Sequence, residues 1–371
     1  MKVAAISGRG RAVLFAVRRH GRISRSALIR ETELSGTAVF RATEELEAAG
    51  LVRAGEAVAA GRGQPSATIH IKPDAAFAIG LSVMTDRADA VLLDLAGNVR
   101  ARREVTLPGM PRDAIIDAAA AFGIETLASL DIDRNRLKGI GIAVAGFFVA
   151  PDTVNPGAEL DDWALVDLHA AASRRLGLPV AVENIAGAAA IGERLLGVGA
   201  RYRSFCYLNV AAGFGAGLVV DGTLMRGRHG NAGEVAGLFA LAGRTIPNLA
   251  TLRACLADHG VATTGIADMV SRFDPDWSGV EAWLAEHQPS FSYLLGALRF
   301  TLDTEALVLG GRLPRELARR IIAAAEWPED AWPARRNRRA PATMLDVASL
   351  SPDLAGPLGA ASLVFHQTLF D

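Results

Sequence analysis

Cysteine is scarce in this chain. Cys206 and Cys255 are its only two, and they stand far apart. That excludes a disulfide framework and any closely spaced thiol motif for metal or redox work, and it makes a reduced cytoplasm the expected compartment. Long apolar runs are also missing. Segments such as Ile140 to Ala150 are short and carry glycine, so neither a membrane span nor a signal peptide is expected. Net charge is nearly absent, at -1 over 371 residues, which taken alone argues against a nucleic-acid binder. Solenoid repeats and long disordered tracts are absent too.

The average charge hides an asymmetry. From Met1 to Arg30 the charged residues are Lys2, Arg9, Arg11, Arg18, Arg19, Arg22, Arg25 and Arg30, with no acid among them. Phosphate contacts need that kind of local excess, whatever the total. The chain is 50% hydrophobic and long enough for two or three domains, so a sizeable core can be buried.

Arg9 to His20 reads as an amphipathic helix with Val13, Leu14 and Val17 inward, and His20-Gly21 ends it. A helix, a tight turn and a second helix follow between Ser24 and Gly50. Ser24 suits the first N-cap, with Ala27, Leu28 and Thr32 on the inner face, and Ser35 suits the second. Val39, Ala42, Leu46 and Ala49 share one face at helical spacing, and Gly50 is placed as a C-terminal cap. The opposite face presents Thr37, Phe40 and Arg41 near the helix N-terminus, where a recognition helix meets base edges. Two strands then flank Gly61-Arg62-Gly63-Gln64-Pro65, a loop suited to carry Arg62 into a minor groove. Together these weak signals predict a winged helix.

Pro73-Asp74 marks the expected boundary between a domain over residues 1–73 and one over 74–371. Beyond it the pattern predicts strands over 78–83, 88–95 and 99–107, a hairpin turn at Asp94-Leu95-Ala96-Gly97-Asn98, a helix over 112–130 and a buried strand over 139–144. That β-β-β-α-β order fits an actin-like, ribonuclease-H-like lobe and not a dinucleotide-binding fold. A strand pair around Gly213 to Ala216 with a hairpin at Asp221-Gly222 repeats the logic and predicts a second lobe. The region 244–299 reads as mainly helical, 306–309 and 342–347 as strands, and 359–369 as the closing helix. The run Arg335-Arg336-Asn337-Arg338-Arg339 reads as a solvated basic loop.

At this point the chain resembles the ROK family (repressors, open reading frames and kinases), and within it the transcriptional regulators with an N-terminal winged helix. The likeness is carried by the head sequence just described and by Asp94 to Asn98. Gly141-Ile142-Ala143-Val144-Ala145-Gly146, the stretch from Gly227 to Glu234, Gly310-Gly311 and Gly359-Ala360-Ala361 complete it. The fold class implied is α/β, a winged helix-turn-helix followed by a two-lobed actin-like, ribonuclease-H-like ROK domain.

Departures from the family's kinases set the functional expectation. Their first phosphate turn reads Asp-x-Gly-Gly-Thr, where this chain has Ser82-Val83-Met84-Thr85-Asp86. Their second phosphate loop carries a hydroxyl, where this chain has Ala211-Ala212-Gly213-Phe214-Gly215. The surviving glycines Gly213, Gly215 and Gly217 are expected in a tight hairpin. The base aspartate of the kinases' Asn-Asp pair is Ile185 here, and isoleucine cannot accept a proton. The family's zinc-site histidine position is Gly237, and no cysteine cluster follows, so neither metal nor cofactor is expected. His229 is expected at the surface. Asn184 and Glu234 match positions that contact sugar hydroxyls in the family, and both have amide or carboxylate oxygens to offer. A helix cap for Asn184 and an arginine pair for Glu234 stand as the other reading.

The expected function is a DNA-binding transcriptional regulator, a repressor, with no catalytic residues. Arg25, Ser35, Thr37, Phe40, Arg41 and Arg62 are the expected DNA-binding residues, with Arg18 or Arg19 also on phosphates. Asn184 and Glu234 are the expected contacts to a sugar-like effector. Double-stranded operator DNA and a second copy of the chain, as a dimer or dimer of dimers, are the expected partners. A sugar kinase with an added DNA-binding domain, or a ligand-independent dimeric DNA-binding protein, are the alternatives.

Overall fold

The computed structural model describes residues 6–58, 66–326 and 340–370. It opens with a head of three helices, α1 (Gly8–His20), α2 (Arg25–Thr32) and α3 (Gly36–Ala48). Strands β1 (Arg22–Ser24), β2 (Val52–Val58) and β3 (Ser66–Ile71) form its antiparallel sheet in the order β1-β3-β2. The sequence gives no periodic signal for β1, which is three residues long and is held by pairing with β3.

Local chemistry explains the helix ends. Ser24 and Ser35 cap α2 and α3, accepting from the backbone N–H of Ala27 and Ala38. Between the two helices Glu33 adopts φ +56. Ser7 caps α1, and its backbone N–H and hydroxyl each donate to the Glu45 carboxylate at 2.6 Å, tying α1 to α3. α3 closes with Leu51 N–H on the Leu46 carbonyl and Gly50 N–H on that of Glu47, with Gly50 at φ +72. Val13, Leu14, Val17, Leu28, Val39 and Leu46 are fully buried, each stabilising the head by about 1.5–3 kcal/mol.

The body has two lobes. The first holds β4 (Phe77–Val83), β5 (Ala88–Asp94), β6 (Val99–Glu104), α4 (Arg112–Ser129), β7 (Leu137–Val144), β8 (Phe147–Ala150), β9 (Thr153–Asn155), α5 (Leu168–Leu176), β10 (Val180–Asn184) and α6 (Ile185–Leu196). The second holds β11 (Phe205–Val210), β12 (Phe214–Val220), β13 (Thr223–Met225), α7 (Ala236–Leu241), α8 (Leu249–Asp258), α9 (Ile266–Ser271), α10 (Val280–Leu302), β14 (Ala306–Gly311), α11 (Arg315–Ala323) and β15 (Met344–Val347). The sheet orders are β10-β7-β4-β5-β6 and β13-β12-β11-β14-β15. Each is an antiparallel meander extended by two parallel strands, so the second lobe repeats the first.

The closing helix α12 (Pro352–Phe365) differs from the sequence expectation of 359–369. It starts seven residues earlier and ends in a single wide turn over His366–Phe370. Pro352 stands in the first turn, where its missing N–H costs nothing. Pro357 lies inside the helix, where proline ordinarily breaks it. Burial outweighs that cost, because Ala355 to Phe365 are all buried. The hairpin β8–β9 is another element the sequence pattern does not announce.

The head is docked, not tethered. Phe15 of α1 meets Phe370 edge to face at 5.7 Å. Arg18 lies over the rings of Phe365 and Phe370 at 5.3 and 5.5 Å. One apolar cluster runs from Val13 and Leu14 through Leu95 to Leu363 and Phe365.

One buried base predicts how acid acts on this fold. His287 in α10 is 3% exposed and stacks on Trp283 at 4.9 Å. Burial holds its pKa below the ordinary 6.5. The unfolded chain therefore takes up a proton that the folded one refuses, and this group's contribution to stability falls as pH drops below 6.5, by up to ~1.4 kcal/mol per pH unit. In urea titrations at pH 7 and 5.5, His287→Leu should lose less stability between the two than the wild type does. Equal losses would place the acid sensitivity elsewhere.

Candidate nucleic-acid interface and ligand cleft

Burying Val39, Ala42 and Leu46 turns the other face of α3 outward. Thr37, Phe40 and Arg41 all lie on it, exposed, with Phe40 46% accessible. Arg25, the first residue of α2, stacks its guanidinium over the Phe40 ring at 5.0 Å. Arg25, Phe40 and Arg41 thus form one basic-aromatic surface with Thr37, while Ser35 is engaged as the helix cap. Arg41 has no carboxylate partner among the described residues. Arg62 lies outside the described residues, as does the cluster from Arg335 to Arg339.

Arg18 is not available to a DNA phosphate in this arrangement. It sits on the body's C-terminal rings, and burial followed by repulsion from Arg194 lowers its pKa to about 10. The sequence pattern could not distinguish it from Arg19, which is exposed and 3.7 Å from Glu31.

Between α1 and the body lies a cleft of about 1340 Å³, walled by α1, the β8–β9 hairpin, α6, the 222–231 loop and the C-terminal turn. A smaller cavity beside it brings Asn184 and Glu234 to one wall system with Gly217 and Arg226. Two hydrogen bonds already hold the Asn184 side chain there. Its side-chain oxygen accepts from Ala186 N–H at 2.7 Å, capping α6, and its amide donates to the Gly146 carbonyl. Glu234 is exposed and forms no ion pair with an arginine among the described residues. The arginine pairs instead with Glu183, a residue the sequence reading passed over, at 2.6 Å to Arg226. Burial raises the Glu183 pKa and Arg226 opposes that shift. A lone acid closing the apolar run Val180-Ala181-Val182 is the signal that could have found it.

The kinase-like positions are occupied by packing. Ser82 in β4 is buried, and a Cβ on Gly356 of α12 would meet its Oγ at 2.8 Å and Ile185 Cγ1 at 3.7 Å. Asp86, at the end of that turn, pairs at 2.5 Å with Arg312, which follows Gly310-Gly311 in the other lobe and is 5% exposed. Gly213 to Gly217 form the β11–β12 hairpin. Gly237 lies in α7, and the Cys255 thiol faces the Gly279 carbonyl at 3.4 Å.

Residues 7–53 match the model for winged helix-turn-helix DNA-binding domains, and residues 78–246 match the ROK family model. The chain carries a ROK family domain. Uncharacterized protein y4fQ of Sinorhizobium fredii is 26% identical over 314 residues, 83% of this chain and 78% of that one. The xylose repressor of Bacillus subtilis is 27% identical over 165 residues, 43% of this chain and 42% of the repressor, so this match spans less than half of that relative's length. Among solved structures, a ROK family transcriptional regulator, a homologue of the E. coli MLC protein, superposes with a TM-score of 0.67. It shares 19% identity and is matched over 98% of this chain and 96% of that one, which places the fold. With the winged head in front, this is the architecture of a ROK regulator. No helix among the described residues is long and apolar enough to cross a membrane.

Proposed function

We propose that this protein is a transcriptional repressor that binds operator DNA through residues 1–73 and carries, in residues 74–371, a ROK body that no longer transfers phosphate. The observation that carries the reading is the outer face of α3. Its inner face is fully packed, and Thr37, Phe40 and Arg41 stand exposed beside Arg25. That is the disposition of a recognition helix, with base-reading groups on one side and phosphate-reaching groups at its edge. Arg62 and Arg19 extend the contact to the minor groove and the backbone. A two-fold dimer, or a dimer of dimers, in the cytoplasm reads a pseudo-palindromic site.

The body serves as the sensor. Ile185 supplies no base, Met84 blocks close backbone approach of phosphates, and the Arg312–Asp86 pair bridges the lobes where a nucleotide would have to enter. Asn184 and Glu234 line the small cavity proposed for a sugar-like effector. An effector acts by preferring one arrangement of lobes and head over another.

Genomic footprinting of the tagged protein tests the reading. It should recover discrete sites that share a pseudo-palindrome. In parallel, the purified protein with ATP and a panel of sugars should make no ADP above its sugar-free rate. Mobility shifts with no preferred fragment at moderate ionic strength, or sugar-dependent ADP formation, would overturn it.

A further inference from the structure

The large cleft between head and body gathers arginines, four of which form no ion pair among the described residues. Arg11 and Arg18 project from α1, Arg194 from α6 and Arg228 from the 222–231 loop, and all four line it. Among the described residues, no carboxylate lies within ion-pair distance of any of them. The two acids on the lining are Glu183, already held by Arg226, and Asp152. Arg194 lies over Phe15 at 5.2 Å, Phe15 meets Phe370, and Phe370 carries Arg18 on its other side. The aromatic rings thus hold two guanidinium groups of like charge toward one space.

Such an arrangement is costly when empty for Arg18 and Arg194, which are half-buried and lose water; Asp94 offsets the cost at Arg18 only in part. Burial and mutual repulsion lower the pKa of Arg18. A doubly charged anion relieves both effects at once, and planar guanidinium forks match phosphate oxygens two at a time. The lining is also half apolar in character, with Phe15, Phe148 and Leu363 beside the arginines. The space, about 1340 Å³, exceeds the roughly 300–1,000 Å³ of ordinary small-molecule sites. No residue of α2 or α3 lines it, so it does not continue the recognition face.

We infer that this cleft binds a phosphorylated small metabolite, a phosphate monoester on a ring, bridging arginines of the head to arginines of the body. The site adjoins the cavity of Asn184 and Glu234, sharing Glu183, Leu224, Arg226 and Gly230 with it, but its four arginines lie outside that cavity. Bound there, the anion fixes α1 against α6 and so sets the angle of the head. That consequence rests on the repressor reading; the binding itself does not.

Calorimetry on the full-length, DNA-free protein tests it, in a phosphate-free buffer at fixed ionic strength. The probes are glucose 6-phosphate, ribose 5-phosphate and AMP, with glucose and inorganic phosphate as comparisons. At least one ester should bind saturably, at least about tenfold tighter than glucose and than inorganic phosphate. Raising the salt should weaken it. The double variant Arg11→Gln/Arg228→Gln should lose about tenfold or more. Neither side chain makes an ion pair among the described residues, so the variant should stay folded, as its circular dichroism can confirm. No saturable ester, equal binding of inorganic phosphate, or full affinity in the double variant would overturn the proposal. Loss of DNA retention by the double variant, with no ester bound by the wild type, would assign these arginines to DNA instead. Absence of any operator with ester binding intact would sink the repressor reading alone.

Discussion

Gly359→Ala should destabilise the fold by at least about 4 kcal/mol, or prevent folding altogether. A methyl group at this position of α12 would overlap the backbone carbonyl of Ala188 in α6. The obstacle is main chain, so no side chain can rotate away. Neighbouring contacts are of the same kind. Gly141 of β7 faces the Ala360 carbonyl and Gly80 of β4 faces that of Pro357, each too close for a Cβ. α12 therefore lies with its backbone against both the central strands and α6, and one displaced position shifts the others. Gly141→Ala should behave alike. Gly237→Ala is the control: it stands in α7 with nothing within 4 Å of a new Cβ, and it should stabilise by up to ~1 kcal/mol through helix propensity. Urea midpoints of the three variants decide the matter. A mild effect at Gly359 would show that α12 does not sit where it is described.

Those glycines illustrate what a sequence can and cannot disclose. Gly141 and Gly359 stand in motifs that mark the family, but their reason is a meeting of two backbones remote in the chain. The two lobes were legible because each meander is made of short apolar runs separated by turn residues such as Gly97 or Gly222. Ser24, Ser35 and Gly50 were legible because capping is local chemistry. α12 was misplaced because Pro357 signals a break locally, and only burial of the whole segment outweighs it. At the site, the outward positions of Thr37, Phe40 and Arg41 followed from helical period alone. Arg18 did not: it follows the same basic pattern as Arg19, and only the rings of Phe365 and Phe370, far along the chain, withdraw it from the surface. Glu183 was hidden for a similar reason, since its partner Arg226 belongs to the other lobe.

Arg41→Ala should weaken binding to the preferred operator by about 1–3 kcal/mol, roughly fivefold to more than a hundredfold, with far less effect on random DNA. The inner face of α3 is locked by Val39, Ala42 and Leu46, so truncating an exposed residue on its other side should leave folding within about 0.5 kcal/mol of the wild type. The loss then reports contact, not collapse. Arg25 is expected to behave differently. Its guanidinium rests on Phe40 at the start of α2, the edge of the surface, where backbone phosphates pass. Arg25→Ala should reduce affinity for all sequences alike and lower the slope of log K against log salt by about one. Titrating both variants against operator and scrambled duplexes at several salt concentrations separates the two roles. If Arg41→Ala lost affinity equally on both duplexes, Arg41 would be a phosphate contact, and base reading would have to come from Thr37 and Phe40, whose side chains discriminate mainly through the thymine methyl and hydroxyl contacts. The operator would then be read by shape and apolar contact more than by hydrogen bonds, and mismatches at A·T steps would cost more than those at G·C steps.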